Sequence, residues 1–134
     1  MIRYANEKDF ETVRKYDSHI SEKELKNAIA FKRVLVMYHD DRFAGWLRFN
    51  LFWDEIPFMN MLYLLEEYRG QGYGGRLVDF WEKEMADSGY ETVLTSTLSN
   101  EQAQFFYRKN GYRDCGSLLL PEESLEIILR KNLA

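Results

Sequence analysis

Residues 68–77 read YRGQGYGGRL, with four glycines and two arginines packed between an apolar run and an amphipathic one. A chain commits that much bare backbone to one turn where side chains would forbid its conformation or block something that must come close. A glycine-rich turn from strand to helix aims successive backbone N–H groups into one concavity, and the helix N-terminus adds about half a positive charge. Such a place holds phosphate. Side chains at Gly70, Gly72, Gly74 or Gly75 would obstruct a ligand or the turn, while Arg69 and Arg76 can add charge-assisted bonds to phosphate oxygens. A mobile surface loop with two solvated arginines is the bland alternative, and the order of strand, turn and helix argues against it.

The flanking pattern supports that order. Two-residue alternation and buried runs bounded by turn signals predict strands over 2–4, 34–38, 43–52, 58–65, 92–97, 112–118 and 125–129, with a hairpin loop at 39–42. Capping signals open helices at Asn6 (ahead of 7–16), at Ser21 with Glu24, and at Ser99 with Gln102, the last stopping at Gly111. Over 72–88, Leu77, Val78, Trp81 and Met85 recur at helical spacing while Arg76, Asp79, Lys83 and Asp87 fall outside the stripe, and Gly89 closes the helix. The order is β-α-α-β-β-β-α-β-α-β-β. Early hairpins and late strand-helix-strand crossovers predict a mixed sheet with helices on both faces, an α/β or α+β class.

At 134 residues, 46% of them hydrophobic, the chain suits one compact domain over 1–134, with no repeat, low-complexity tract or linker. Its 18 Lys+Arg against 22 Asp+Glu give a net charge of -4, which opposes a polyphosphate backbone and excludes nucleic acid as the main partner. Cys115 is the single cysteine, so there is no internal disulfide and no companion at metal-ligand spacing. A reducing, cytoplasmic setting without a metal cofactor is expected. The first residues lack the apolar stretch of a secretory signal, and no run approaches the ~18 apolar residues of a membrane span, so no membrane partner is expected.

Three phosphate cradles compete for the glycine run. A P-loop needs Gly-Lys-Ser/Thr at the helix start, and Gly75-Arg76-Leu77 offers neither lysine nor hydroxyl. Gly70, Gly72 and Gly75 satisfy the dinucleotide pattern G-x-G-x-x-G, but the next strand carries no carboxylate at its end, and Glu91 sits at the wrong one. The third cradle fits: Arg69-Gly70-Gln71-Gly72-Tyr73-Gly74 resembles the Q/R-x-x-G-x-G/A signature of the GNAT superfamily of acyl-CoA-dependent N-acyltransferases. Leu62 through Gly70 is similar to that family's fourth strand running into its pyrophosphate loop, and Asn100 through Tyr112 is similar to its N-x-x-A-x-x-x-Y-x-x-x-G-F/Y helix.

The resemblance implies a single-domain fold with a mostly antiparallel central sheet of about seven strands, and an enzyme moving acetyl from acetyl-CoA to a primary amine in a ternary complex. A non-catalytic acyl-CoA-binding module is the alternative. Backbone groups of Leu62, Tyr63 and Leu64 are then expected to bond the pantetheine arm of coenzyme A, one N–H doubling as oxyanion donor. The N–H groups of Gln71 through Gly75 are expected to hold the pyrophosphate, and Tyr107 to protonate the departing thiolate. Asn100 either caps its helix or bonds the pantetheine. The acceptor, a small molecule or a peptide, is not specified, and a homodimer through the C-terminal strands is possible by the same resemblance.

No carboxylate fills the family's base positions, which align with Asn60 or Met61 and with Thr95. Asp54, Glu55, or waters held by Asn60, Thr95 and Ser96 are substitutes, solvated loop charges being the bland reading of the two acids. Glu66 and Glu67 join Asp54 and Glu55 as a weak hint of a cationic acceptor. His19 reads as a surface histidine, His39 as a hairpin-tip residue and Cys115 as a small buried thiol. Arg48 and Asn50 share a strand face with Trp46 and Phe52, where Arg48 either reads an acceptor carboxylate or is a sheet-edge charge.

Overall fold

A computed structural model describes residues 1–134. The strands are β1 (Ile2–Tyr4), β2 (Val34–His39), β3 (Arg42–Phe52), β4 (Ile56–Leu64), β5 (Thr92–Leu98), β6 (Arg113–Leu118) and β7 (Glu126–Asn132). The helices are α1 (Phe10–Tyr16), α2 (Glu22–Ala30), α3 (Tyr73–Asp87) and α4 (Ala103–Lys109), in the order the sequence predicts. The strands form a seven-stranded sheet, order β1-β2-β3-β4-β5-β7-β6. β4 and β5 pair in parallel, whereas β1–β2, β2–β3, β5–β7 and β6–β7 are antiparallel. No helix is long and apolar enough to cross a membrane.

The chain divides into two compact units, Met1–Asn50 with Asn60–Glu84, and Leu51–Met59 with Met85–Ala134. In the first, Asn6 accepts from the Lys8 N–H and Asp9 reaches back to the Asn6 N–H, a closed capping box. It opens a short 3-10 turn at Glu7–Asp9, so the helix predicted from 7 becomes regular only at Phe10. Ser21 caps α2 through the Glu24 N–H. α1 and α2 cover one face of the early strands, burying Phe10, Val13, Leu25, Ile29, Val34, Val36 and Trp46 together. The predicted stripe of α3 is buried, and Phe49, on the opposite face of β3 from Trp46, meets Trp81 at 5.8 Å between ring centroids. Helices therefore lie on both faces here.

In the second unit β5 is the central strand, with Val93, Leu94, Thr95 and Thr97 buried. α4 does not begin as predicted. Gln102 is its N-cap residue with no side-chain cap, and the turn is held instead by Gln104 Nε2, donating to the carbonyls of Ser99 and Glu101 at 2.8 Å each. Glu101 Oε1 accepts the Leu98 N–H. Ser99 and Asn100 are thus outside the helix, and Asn100 is not its cap. The strand β6 is exposed along its whole length, so Cys115 is an exposed thiol rather than a buried one. A strand with one paired neighbour, β7, has little to bury its side chains against.

Candidate active site

β4 hands its chain to the glycine run through a stiff exit. The Leu65 N–H donates to the Ala44 carbonyl at 2.8 Å, a 3-10 turn covers Glu66–Tyr68, and Arg69 Nε donates back to the Leu64 carbonyl at 2.9 Å. The Arg69 guanidinium also lies 4.9 Å over the Tyr63 ring, and Gln71 Nε2 ties the loop to the Glu67 carbonyl. Gly70 and Gly72 adopt φ of 73° and 84°, which side-chain-bearing residues rarely adopt. An added Cβ at Gly70, Gly72 or Gly75 would meet no protein atom within 4 Å, so nothing in the fold itself fills the space above the run.

The first helical bond of α3 on this side is the Arg76 N–H to the Gly72 carbonyl, 3.2 Å. The backbone N–H groups of Gly70, Gln71, Gly72, Tyr73, Gly74 and Gly75 have no backbone acceptor. Helix starts always leave such donors, but here the preceding turn extends the row. Arg76 stacks over Tyr73 at 5.6 Å, within reach of the same space. The tip of the β2–β3 hairpin supports the loop: the His39 ring packs on Tyr68 at 5.8 Å and on Tyr73 at 5.6 Å. The sequence places His39 at a hairpin tip, and the turn that follows it, with Asp40 and Asp41 at positive φ, leaves its ring against these two tyrosines.

β4 pairs with β5 at Phe58–Leu94 and Met59–Thr95, and residues 60–64 run past the last of these rows. Asn60 Nδ2 donates to Asn50 Oδ1 at 2.9 Å, and the Tyr63 ring lies 5.1 Å from Trp46. Asn50 and Trp46 are four residues apart and share a face. Asn60 and Tyr63, three apart on β4, thus each touch a residue of that β3 face. Leu62, expected to hold the pantetheine arm, lies beyond the last β4–β5 pair.

Tyr107, on α4, is buried, its ring meeting Tyr112 at 5.6 Å. Burial pushes its phenol up to about 12; a hydrogen bond with the Thr95 side chain offsets part of this, and the Glu101 charge adds to it. Thr95 Oγ1 donates to the Met59 carbonyl at 3.0 Å. The hydroxyl and the Asn60 amide proposed as water holders are therefore partly committed to protein. Asp54 and Glu55 are exposed on the β3–β4 turn, where Trp53 and Asp54 take positive φ.

Arg48 is not a sheet-edge charge, and most of its fork is already engaged. Its Nε donates to Asp17 Oδ2 at 2.9 Å, and Trp46 Nε1 donates to the same oxygen at 3.1 Å. Asp17, at the C-terminal end of α1, is the buried acid that organises this face, and sequence reading missed it. Its one signal was the company of a polar residue with Trp46 on β3, which pointed to a partner without naming it.

A profile of the acetyltransferase (GNAT) family matches residues 2–112. A search of curated proteins by sequence gives no match. Among solved structures, Ard1 from Thermoplasma volcanium superposes with a TM-score of 0.85 at 14% identity, covering 100% of this chain and 97% of that one. The PaiA N-acetyltransferase from Thermoplasma acidophilum, solved with coenzyme A, gives 0.80 at 20% identity, covering 98% of each chain. Arabidopsis thaliana Naa50, solved with the bisubstrate analogue CoA-Ac-MVNAL, gives 0.83 at 17% identity, covering 98% and 97%. At these identities the likeness is one of fold; the family match over most of the length carries more, and by it the chain belongs to the acetyltransferase (GNAT) family.

Proposed function

We propose that residues 1–134 work as one acetyltransferase domain in which the unpaired amides of Gly70 through Gly75 hold the diphosphate of acetyl-CoA. Family membership makes the reaction the transfer of acetyl from acetyl-CoA to an amine. The observation that carries the site is the row of N–H groups without backbone acceptors, set on two left-handed glycines and the start of a fifteen-residue helix. A row of aligned donors at a helix start suits a dianion in a way that no neutral ligand repays. Arg69 and Arg76 add positive charge beside it. That PaiA and Naa50 were each solved with coenzyme A or a coenzyme A conjugate supports the same reading.

Acetyl-CoA supplies the activated carbonyl. In our reading the β4 backbone from Leu62 to Leu64 aligns the pantetheine arm, and one of its N–H groups donates to the carbonyl oxygen as negative charge develops there. The amine nitrogen bonds to the carbonyl carbon, the C–S bond breaks, the departing sulfur takes the Tyr107 proton, the nitrogen loses its own proton to water, and the Tyr107 phenolate regains a proton from water. Asn100, exposed and freed from a capping role, is available to the pantetheine. The reducing cytoplasm suits the exposed Cys115. The exposed side chains of Leu118, Leu119, Leu120 and Leu125 suit self-association into a dimer.

Calorimetry with coenzyme A tests the cradle: wild type should bind, and Gly72→Glu, which places a carboxylate over the amide row, should not. Equal affinity in both would remove the assignment. Thiol release against a panel of amines, for wild type and Tyr107→Phe, tests turnover. Binding with no release for any amine would leave an acyl-CoA-binding module.

A further inference from the structure

The proposed reaction leaves the acceptor's own binding site open, and the first unit holds a polar cavity suited to it. This cavity, about 340 Å³, lies where α2 faces β3 and the start of the free part of β4, and its lining includes Glu24, Arg33, Arg48, Asn50 and Asn60. Hydrogen-bond donors dominate. The Arg33 guanidinium takes part in no ion pair and lies 5.4 Å from the centre of the Phe31 ring. Arg48 spends Nε and Nη2 on Asp17, which leaves Nη1 over. Asn50 accepts from Asn60, so its own Nδ2 remains to donate. The one carboxylate of the lining is Glu24, exposed on α2. Asp17 is already occupied by Trp46 and Arg48.

A guanidinium that is planar and without a counter-charge is a bidentate site for a carboxylate. The volume sits at the small end of ligand pockets, room for a metabolite-sized group rather than a macromolecular surface. Asn60 also stands two residues before Leu62 on the same strand, roughly 7 Å along it. We propose that this cavity binds the carboxylate of the acceptor, so that the substrate class is a small amine carrying a carboxylate a few methylenes from its reacting nitrogen. This deepens the acetyl-transfer reading and rests on it.

The test pairs two substrate series, aminoalkanoates lengthened one methylene at a time and alkylamines of the same lengths. In the wild type, kcat/KM should favour the aminoalkanoate by about tenfold or more, with an optimum length, as one charge-assisted bond predicts. Arg33→Gln should erase most of that ratio and Arg33→Lys restore part of it, while Glu24→Gln should widen it by removing a repelling charge. A ratio near one in the wild type, or one that Arg33→Gln leaves intact, overturns the proposal. Calorimetry with glutarate on protein saturated with coenzyme A reads the cavity without turnover: heat that Arg33→Gln abolishes supports it, and no heat overturns it. A wild type that binds glutarate but not coenzyme A would instead bring down the acetyl-transfer reading and leave the anion site standing.

Discussion

Replacing Gly75 by alanine separates two reasons a loop can be rich in glycine. Gly75 is the third residue of α3, its φ is not positive, and an added Cβ meets nothing within 4 Å. Alanine is favoured over glycine by about 1 kcal/mol in a helix interior and by less in a first turn, so Gly75→Ala should be neutral or up to about 1 kcal/mol more stable. Gly72 has the same open surroundings but sits at φ of 84°, where alanine costs about 1–2 kcal/mol of left-handed strain. The melting temperature should therefore hold or rise slightly for Gly75→Ala and fall by several degrees for Gly72→Ala. Coenzyme A binding should not follow stability. A methyl group in the space above the amide row displaces at least one charged hydrogen bond, about 1.5–3 kcal/mol, or roughly ten- to a hundredfold in Kd. Calorimetry of the ligand-free protein and titration with coenzyme A measure the two effects separately. A Gly75→Ala protein that is as stable as wild type and binds coenzyme A just as tightly would refute the cradle.

Asp17→Ala strands the Arg48 guanidinium, whose side chain is 9% exposed, and should cost about 3–5 kcal/mol in urea unfolding. Adding Arg48→Met should recover part of that, and a double mutant worse than Asp17→Ala would deny the coupling. Tyr107 has a folded pKa raised to about 12 from an unfolded 10. The stability this group contributes is whole below pH 10 and is lost as pH climbs from there towards 12, an alkaline loss that Tyr107→Phe should reduce in pH-dependent unfolding. Burial opposes the Asp9 carboxylate, but the paired bonds from Arg3, with the Asn6 N–H and the Tyr38 hydroxyl, outweigh it and hold the pKa below the usual range. Its contribution is present above the ordinary carboxylate range and lost as pH falls through the folded value. Asp9→Asn should flatten the acid limb of the stability curve, and an unchanged limb would show that another group carries it.

The elements were legible because their signals are local. Each predicted strand is present within a few residues, since alternation is read over a handful of positions, and Gly89 and Gly111 end their helices at φ of 94° and 93°. The α4 start was misread for the same reason. Ser99 and Gln102 have capping spacing, yet the winning bonds come from Gln104 and Glu101, residues whose types look equally apt in the sequence. The glycine run was legible as an anion site because its function is carried by backbone, which sequence reports through glycine. The acid Asp17 was not, because its meaning depends on Arg48 and Trp46 about thirty residues away. The support of the loop by His39 likewise requires the hairpin to fold first.

The missing base makes a last prediction, set by the acceptor rather than the protein. No carboxylate occupies the aligned positions, and the Asn60 and Thr95 side chains already have protein partners. The departing thiol, with a pKa near 8.5, needs little help, so the proton on the amine is the main obstacle. Only the small neutral fraction of an alkylamine near pKa 10 can attack at pH 7, and catalysis reduces to aligning it with the thioester. The logarithm of kcat/KM should then rise with slope one until the acceptor's own pKa is reached, and the bend should move down with the pKa in a series of less basic amines. A bend that stays at one pH for every acceptor would mean that a group of the protein takes the proton.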